Sequence, residues 1–147
     1  MKARVILHPT DFSPASRAAF TRAVADTRAA GAELLLVHVL SVVTPFVGDE
    51  YVSPKTYTEV QQSMQAYGQK QLDALVAKAK AAGARVRGLL LEGTAADAIV
   101  RTARSKRADV IVMGTHGRTG FAKLLMGSVA QRVVGTAPCP VLTVRGK

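Results

Sequence analysis

The chain has 147 residues, of which 48% are hydrophobic, so it is long enough to form one domain with a single buried core. It contains no run near the ~20 apolar residues of a membrane-spanning helix, and its single cysteine, Cys139, excludes an internal disulfide framework. The first residues do not resemble a secretory signal, and we expect a single cytoplasmic domain over residues 1–147. Cys139 lies between two prolines among apolar residues, which favours a packing role over a reactive thiol.

The first half of the chain predicts two buried strands around one helix. A strand is expected at residues 3–8 (ARVILH), ending at Pro9. Ser13 is a candidate helix cap, with Pro14 as the first helical residue and Gly31 as the stop signal. The next strand, residues 33–40, is apolar almost throughout, which predicts cover on both of its faces.

Residues 41–57 break the periodic pattern with two prolines and a glycine. A connection of this length is either a functional loop, such as a lid over a ligand, or a variable surface loop. A long helix is predicted at residues 57–82. The third strand, residues 85–91, begins with alternating charges and is therefore expected nearer the sheet edge than the second.

The second half continues the alternation of helix and strand. Thr94 and Asp97 resemble a capping box for a helix to residue 105, and a fourth strand is predicted at residues 109–113. Ser128 and Gln131 form a Ser-x-x-Gln box for the last helix, before a final strand at residues 140–144. This alternation predicts a three-layer α/β domain with a parallel sheet.

Two polar loops follow strands and are candidates for a ligand site. Ligands of open α/β sheets bind beyond the carboxyl ends of the strands. Gly114 and Gly117 would let a phosphate approach the backbone, and Gly127-Ser128 would add the N-terminus of a helix. Asp11 has two readings, as a turn residue or as an acceptor for ribose hydroxyls.

Neither the P-loop pattern nor G-x-G-x-x-G occurs in the chain. The pattern that does occur, Gly114-x2-Gly117-x9-Gly127-Ser128, resembles the ATP-binding signature of the universal stress protein family. The opening strand with Pro9-Thr10-Asp11-Phe12-Ser13, the second strand, the Glu92-Gly93 turn and the closing residues 139–144 extend the resemblance over the whole chain.

The resemblance implies a Rossmann-like fold of five parallel strands in the order 3-2-1-4-5, with helices on both faces. It also implies a homodimer joined through the last strand, Val141–Val144. By the same resemblance, Asp11 contacts ribose or adenine, Val39 offers its backbone to adenine, and the phosphates lie against the glycine motif. The implied nucleotide-contacting residues are Pro9, Thr10, Asp11, Val39, Met113, Gly114, His116, Gly117, Arg118, Gly127, Ser128 and Val129.

The three histidines do not predict a metal centre. His8 and His38 fall in strand-like runs, where a packed, hydrogen-bonded histidine is the commoner case. His116 lies in the glycine loop without a carboxylate or cysteine at ligand spacing, so no structural zinc is expected. Mg²⁺ or Mn²⁺ would arrive with the nucleotide, held mainly by its phosphates.

The sequence supports three functional hypotheses. The first is an ATP-binding stress-response protein whose nucleotide state regulates dimer or partner interactions. The second is a slow ATPase or phosphotransfer enzyme that places Arg118 or Lys123 on the γ-phosphate, although no catalytic base or nucleophile is recognisable. The third is an interaction module without a nucleotide. Nucleic acid is an unlikely partner despite the net charge of +10, because the basic residues are scattered along predicted helices and do not alternate with aromatic residues.

Overall fold

The computed structural model describes residues 2–41, 46–47, 50–116 and 126–146. Its elements in chain order are β1 (Val5–Pro9), a 3-10 turn (Pro14–Ser16), α1 (Arg17–Ala30), β2 (Glu33–Leu40), β3 (Phe46–Val47), β4 (Glu50–Tyr51), α2 (Pro54–Ala81), β5 (Arg85–Glu92), α3 (Ala95–Ser105), β6 (Val110–Gly114), α4 (Ser128–Thr136) and β7 (Val141–Val144).

The main sheet has five strands in the order β5-β2-β1-β6-β7, and each neighbouring pair is parallel. When the short antiparallel pair β3–β4 is set aside, this is the predicted order 3-2-1-4-5, and the Rossmann-like α/β fold is confirmed. The third predicted strand, β5, lies at one edge and β7 at the other, so the edge position expected from the charged start of β5 is also confirmed.

Helices cover both faces of the sheet, which explains why β2 is apolar almost throughout. On one face, α1 and α2 bury Phe20, Val24 and Leu72 against the sheet. On the other face, α3 and α4 bury Ile99 and Val133. The two clusters of buried residues, one on each side of the sheet, make up the core.

Two predicted helix starts differ from the structure. α2 begins at Pro54 instead of residue 57, because Ser53 caps it by accepting a hydrogen bond from the Thr56 N–H at 3.2 Å. The connection predicted at residues 41–57 is therefore shorter, and part of it forms the β3–β4 pair. Ser13 precedes Pro14 as predicted, but Pro14 opens a 3-10 turn and the Ser13 side chain makes no capping bond.

Both predicted capping boxes are wrong. Thr94 occupies the N-cap of α3 but makes no side-chain capping bond. At α4 the N-cap is Gly127, so Ser128 is the first helical residue instead of the cap. Gln131 does not reach back to Ser128 either, since its side-chain amide donates to the Met126 carbonyl at 3.3 Å. Both sites have the residue spacing of a capping box. At α4 the N-cap lies one residue before Ser128, and at α3 the side chain of Thr94 makes no capping bond.

In the part of the chain that the structure describes, no helix combines the length and apolar character needed to cross a membrane.

Candidate functional site

A cavity of about 400 Å³ lies at the carboxyl ends of β1, β2 and β6, where the strand order reverses. It exists because β1 and β6 diverge early: their register covers only two residue pairs, Ile6↔Val110 and Leu7↔Ile111. A crevice at such a reversal point is the usual ligand site of open α/β sheets. The cavity is lined by Pro9, Thr10, Asp11, Ser16, Val37, His38, Val39, Ser41, Ala95, Ile99, Met113, Gly114, Thr115, His116, Gly127, Ser128, Val129 and Ala130.

The loop after β1 holds Asp11 at the cavity by local hydrogen bonds. The Asp11 carboxylate accepts from the Ser13 N–H at 3.0 Å, which is the turn role that the sequence allowed. Thr10 accepts from the Phe12 N–H at 3.1 Å, and its hydroxyl lies 3.3 Å from that of Ser16. The loop is thus built from its own side chains, with one Asp11 oxygen used in the turn while the residue borders the cavity.

Phe12 adopts a left-handed backbone conformation with φ of 63°. This conformation is uncommon for a bulky residue and costs on the order of 1–3 kcal/mol. The Phe12 ring packs against the His38 ring with centroids 4.2 Å apart, and His38 Nδ1 lies 2.8 Å from the Thr10 carbonyl. His38 therefore ties the strained loop to β2, which confirms that it is a packed, hydrogen-bonded residue and adds that it borders the cavity.

Val39 presents its backbone toward the crevice. The Thr10 N–H donates to the Val37 carbonyl at 2.8 Å, so the backbone groups of Val37 point toward β1. Residues two apart in a strand share their direction, and the N–H and C=O of Val39 therefore point to the same side, beyond the last paired residue of β1. This geometry leaves a donor and an acceptor of β2 directed at the cavity.

The end of β6 approaches the β1–α1 connection closely. A Cβ on Gly114 would lie 3.4 Å from the carbonyl oxygens of Ala15 and His116. A Cβ would thus be in ordinary van der Waals contact there, so the neighbouring backbone does not by itself require glycine at this position, and the approach of a phosphate predicted from the sequence stays a prediction. The His116 ring lies beside the Thr115 hydroxyl, with Nδ1 at 2.9 Å.

The N-terminus of α4 directs backbone N–H groups into the cavity. Gly127 donates its own N–H to the Thr115 carbonyl at 2.6 Å, which fixes the start of the helix against the end of β6. The first intrahelical bond runs from Gln131 to the Gly127 carbonyl, so the N–H groups of Ser128, Val129 and Ala130 precede the helical ladder. Among the residues that the structure describes, no side chain caps them. Such a helix end favours an anion by its dipole and by its free donors.

Every predicted nucleotide-contacting residue that the structure describes lines this cavity, whereas Gly117, Arg118 and the Lys123 of the ATPase hypothesis lie outside the described residues. The sequence analysis missed several lining residues. Ser41 directly follows β2, and Ala95 and Ile99 come from the first turns of α3 after β5. The rule that loops at the carboxyl strand ends form the site applies to these positions too.

His8 lies just below the crevice and is fully buried. Its Nδ1 is 2.8 Å from the Val112 carbonyl, in the gap where β1 and β6 separate. A carbonyl only accepts, so Nδ1 carries the proton, and Nε2 has no partner among the described residues. Burial lowers the pKa of His8 from 6.5 to about 4, although the bond to Val112 and the charge of Asp11 both act in the opposite direction. The expectation of a packed histidine is confirmed.

Among the described residues, no group of three or more histidine, cysteine or carboxylate side chains could hold a metal ion. Cys139 is half-buried against the α3–α4 core cluster, less deeply than the packing role suggested. Burial, with a smaller effect of Asp109, raises the pKa of its thiol and so lowers its thiolate fraction.

The fold and the cavity define a doubly wound α/β protein with the N-terminus of a helix at its reversal point. The model of the universal stress protein family matches residues 2–145. Universal stress protein MJ0531 of Methanocaldococcus jannaschii is 37% identical over 140 residues, which is 95% of this chain and 81% of that protein. The structure of universal stress protein UspA from Lactobacillus plantarum superposes with a TM-score of 0.85 at 25% identity and covers 99% of both chains.

A universal stress protein solved in complex with cAMP superposes with a TM-score of 0.71 at 25% identity, over the full length of both chains. The family match and the relative from M. jannaschii together cover nearly all of the sequence. The chain belongs to the universal stress protein family, whose members are stress-response proteins.

Proposed function

We propose that this protein binds an adenine nucleotide such as ATP, and that the nucleotide state regulates its dimer or partner interactions. The observation that carries the proposal is the uncapped N-terminus of α4, which directs the N–H groups of Ser128, Val129 and Ala130 into the cavity. A similar protein of the family was solved in complex with cAMP, which supports an adenine nucleotide as the ligand class.

In the proposed pose the phosphates lie at the start of α4 and the base lies across the crevice. The backbone of Val39 would pair with the adenine edge, and the carboxylate of Asp11 would accept from the ribose hydroxyls. In this arrangement a single nucleotide would contact both Asp11 and the N-terminus of α4. Mg²⁺ or Mn²⁺, when present, would be held mainly by phosphate oxygens, since the described residues offer no cluster of protein ligands.

The proposal is tested by identifying what the purified protein carries and what it takes up. Mass spectrometry of ligand released on denaturation should detect an adenine nucleotide, and calorimetry on stripped protein should show ATP binding. If no adenine nucleotide is released and ATP at millimolar concentration gives no heat, the interaction module without a nucleotide replaces this proposal.

We also propose that β7 joins two copies of the chain edge to edge. Pro140 and Val144 direct their carbonyls to β6, because they accept from Ile111 and Thr115 at 3.0 and 3.1 Å. Because the direction of the backbone N–H and C=O groups alternates from one residue to the next along a strand, those of Val141 and Thr143 face the open edge. An apolar edge strand with outward donors and acceptors is a template for pairing with another chain.

Thr143→Pro should convert the dimer to a folded monomer. Proline at this position removes an outward N–H and spares the bonds between β7 and β6, so the fold should persist. Leu142→Pro is the matched control, since it removes an inward N–H and should lower the melting temperature as well. Light scattering coupled to gel filtration reads the mass, and a wild-type protein that is monomeric at micromolar concentration would contradict the proposed dimer.

The ATPase hypothesis shares this cavity and is separated by a phosphate-release assay. Its candidate residues, Arg118 and Lys123, both lie outside the described residues. We expect phosphate release at the level of the buffer blank. If release is observed, equal release from Gly114→Val would assign it to a contaminant.

A further inference from the structure

Basic residues gather at the end of the molecule opposite the cavity. The five parallel strands all begin at this end, and α1, α2 and α3 end there. The surface that they form, here called the amino-end surface, carries exposed cationic side chains from five separate segments of the sequence: Lys2, Arg4, Arg28, Lys80, Arg85, Arg104, Lys106 and Arg107.

These residues form a continuous band across the sheet. A Cβ on Gly31 would lie 4.0 Å from Lys2 Nζ, and one on Gly83 would lie 3.5 Å from Arg28 Nε, which places the N-terminus, the end of α1 and the α2–β5 turn side by side. On the other side, the Asp109 N–H donates to the Val5 carbonyl at 2.9 Å and joins the α3–β6 turn to the start of β1. From β5 to β6 the band spans three strand spacings, or about 14 Å.

Carboxylates at this end are already engaged. Glu33 pairs with Arg87 at 3.4 Å. Asp109 accepts from the backbone N–H groups of Arg4 and Val5 at 2.7 and 2.9 Å, and these bonds hold its pKa below the usual value. In the described part of the chain, none of the residues that make up the amino-end surface forms a side-chain ion pair, since the pairs present there involve Arg22, Arg87 and Arg132.

Helix dipoles explain only part of this charge. Cations in the last turn of a helix are stabilised by its negative end, which accounts for Arg28, Lys80 and Arg104. Lys2 and Arg85 lie in or before strands, and Arg107 follows the end of α3. The positive surface therefore exceeds what the helix ends require.

We propose that the amino-end surface binds the phosphate backbone of a nucleic acid duplex without reading its sequence. Arginine, which supplies most of the band, matches phosphate with a fork of donors. The exposed large apolar residues of the described chain, Tyr51, Val60, Met64, Tyr67, Val129 and Val134, all belong to other segments. A membrane surface would favour apolar residues beside the cations, and a single strand would favour aromatic ones.

The proposal differs from the expectation drawn from the sequence alone. Along the chain the basic residues are scattered, as on an ordinary solvated helix face, and this argued against nucleic acid. The parallel fold brings the ends of those helices and the starts of the strands to one side. The inference does not depend on the proposed nucleotide site, because the two lie at opposite ends of the strands.

Fluorescence anisotropy with labelled duplexes of about 20 base pairs, one of DNA and one of RNA, tests the proposal at about 50 mM salt. Arg85→Gln/Lys106→Gln should weaken binding at least tenfold. It should also reduce the slope of log K against log salt by about 2, one for each lost phosphate contact. Lys55→Gln/Lys70→Gln is the matched control, since it removes the same net charge from exposed positions of α2 and should change affinity less than about twofold.

Four results would overturn the inference. The first is no binding of either duplex at micromolar concentration, and the second is an equal loss in the two double variants. The third is tighter binding to phosphatidylserine vesicles than to a duplex. Saturating ATP should leave duplex affinity unchanged, and competition between them would place the duplex in the cavity and contradict the proposed surface. Preference for DNA or RNA then identifies the duplex that the surface favours.

Discussion

Gly127→Asp is expected to abolish nucleotide binding and at the same time to stabilise the fold slightly. The position has φ of −69° and ψ of 163°, which any residue can adopt and which suits a helix N-cap. The aspartate oxygens would accept from the N–H groups of Val129 and Ala130, which no described side chain caps in the native protein. We expect a gain of about 0.5–1 kcal/mol in unfolding free energy from the cap and from the loss of glycine freedom in the unfolded chain.

The same carboxylate would occupy the donors that the phosphates need and would repel their charge, so ATP affinity should fall at least ~100-fold. Calorimetry measures the affinity and thermal unfolding measures the stability. Gly127→Val, which lacks a charge, should also weaken binding by filling the approach to the helix end. A folded Gly127→Asp protein with native ATP affinity would mean that the phosphates do not bind at α4.

Gly135→Asp is the matched control because it puts the same charge in the same helix at the other end. A Cβ on Gly135 would meet no described atom within 4 Å apart from its chain neighbours and the backbone of its own helix. There the carboxylate faces the negative end of the helix dipole, which offsets the gain from replacing a helical glycine, so stability should change little. Nucleotide affinity should stay native. We therefore expect a gain in stability for Gly127→Asp alone, and a loss of nucleotide affinity for Gly127→Asp alone.

The unfolding free energy should fall steeply between pH 6.5 and pH 4 because of His8. In the unfolded chain this histidine takes up a proton at its ordinary pKa of 6.5, whereas the folded protein resists protonation until about pH 4. The unfolded state therefore binds more protons in this window, and stability declines as the pH falls. The two pKa values differ by an amount worth roughly 3 kcal/mol, or about 1.4 kcal/mol per pH unit at the steepest point.

Denaturant titrations at a series of pH values measure this slope, and His8→Asn is the comparison. The asparagine amide can donate to the Val112 carbonyl as Nδ1 does, but it does not titrate. The smaller side chain will lower stability at every pH through lost packing, while the dependence on pH between 6.5 and 4 should flatten. His38 and His116 remain in both proteins and cancel in the difference. Parallel profiles for the two proteins would show that His8 is not the titrating group.

Protonation of Asp109 also lowers the unfolding free energy, but it does so at lower pH than most of the loss caused by His8. Its backbone hydrogen bonds keep its pKa below 3.8 in the folded protein. The stability that it contributes is present above the unfolded value and is lost only as the pH falls below that value. The two pH ranges overlap near pH 4, so the effect of His8 is read above about pH 5, where Asp109 is ionised in both the folded and the unfolded chain.

The order of elements and the fold could be predicted from the sequence because hydrophobic periodicity and glycine stops mark nearly every element. The strand order needed the family resemblance, since the reversal between β1 and β6 depends on which crossovers pass over which face. The capping errors at Thr94 and Ser128 arose because a box is defined by spacing, whereas the cap depends on backbone angles that tertiary contacts fix. At α4 the deciding contact is the bond from the Gly127 N–H to Thr115, which lies twelve residues away in the sequence.

Parts of the candidate site could be predicted from motifs and parts could not. Asp11 and the glycines stand in recognisable turns after strands. The role of His38 could not be anticipated, because a histidine in an apolar strand gives no sign that its ring supports Phe12 and the Thr10 carbonyl on a neighbouring loop. Gly114 was identified correctly as a lining residue, but its close neighbours are the carbonyl oxygens of Ala15 and His116.

The short pairing between β1 and β6 separates the residues that hold the protein together from those that meet a ligand. Ile6, Leu7 and Ile111 are buried below the point of divergence, and the cavity is bordered by residues above it. Substitutions of residues that border the cavity can therefore change ligand preference with little cost to folding. Selection can remove core substitutions for their effect on stability alone, whatever the ligand. During evolution, such a domain can acquire new ligands through a few substitutions of the residues that border the cavity, while its scaffold stays the same.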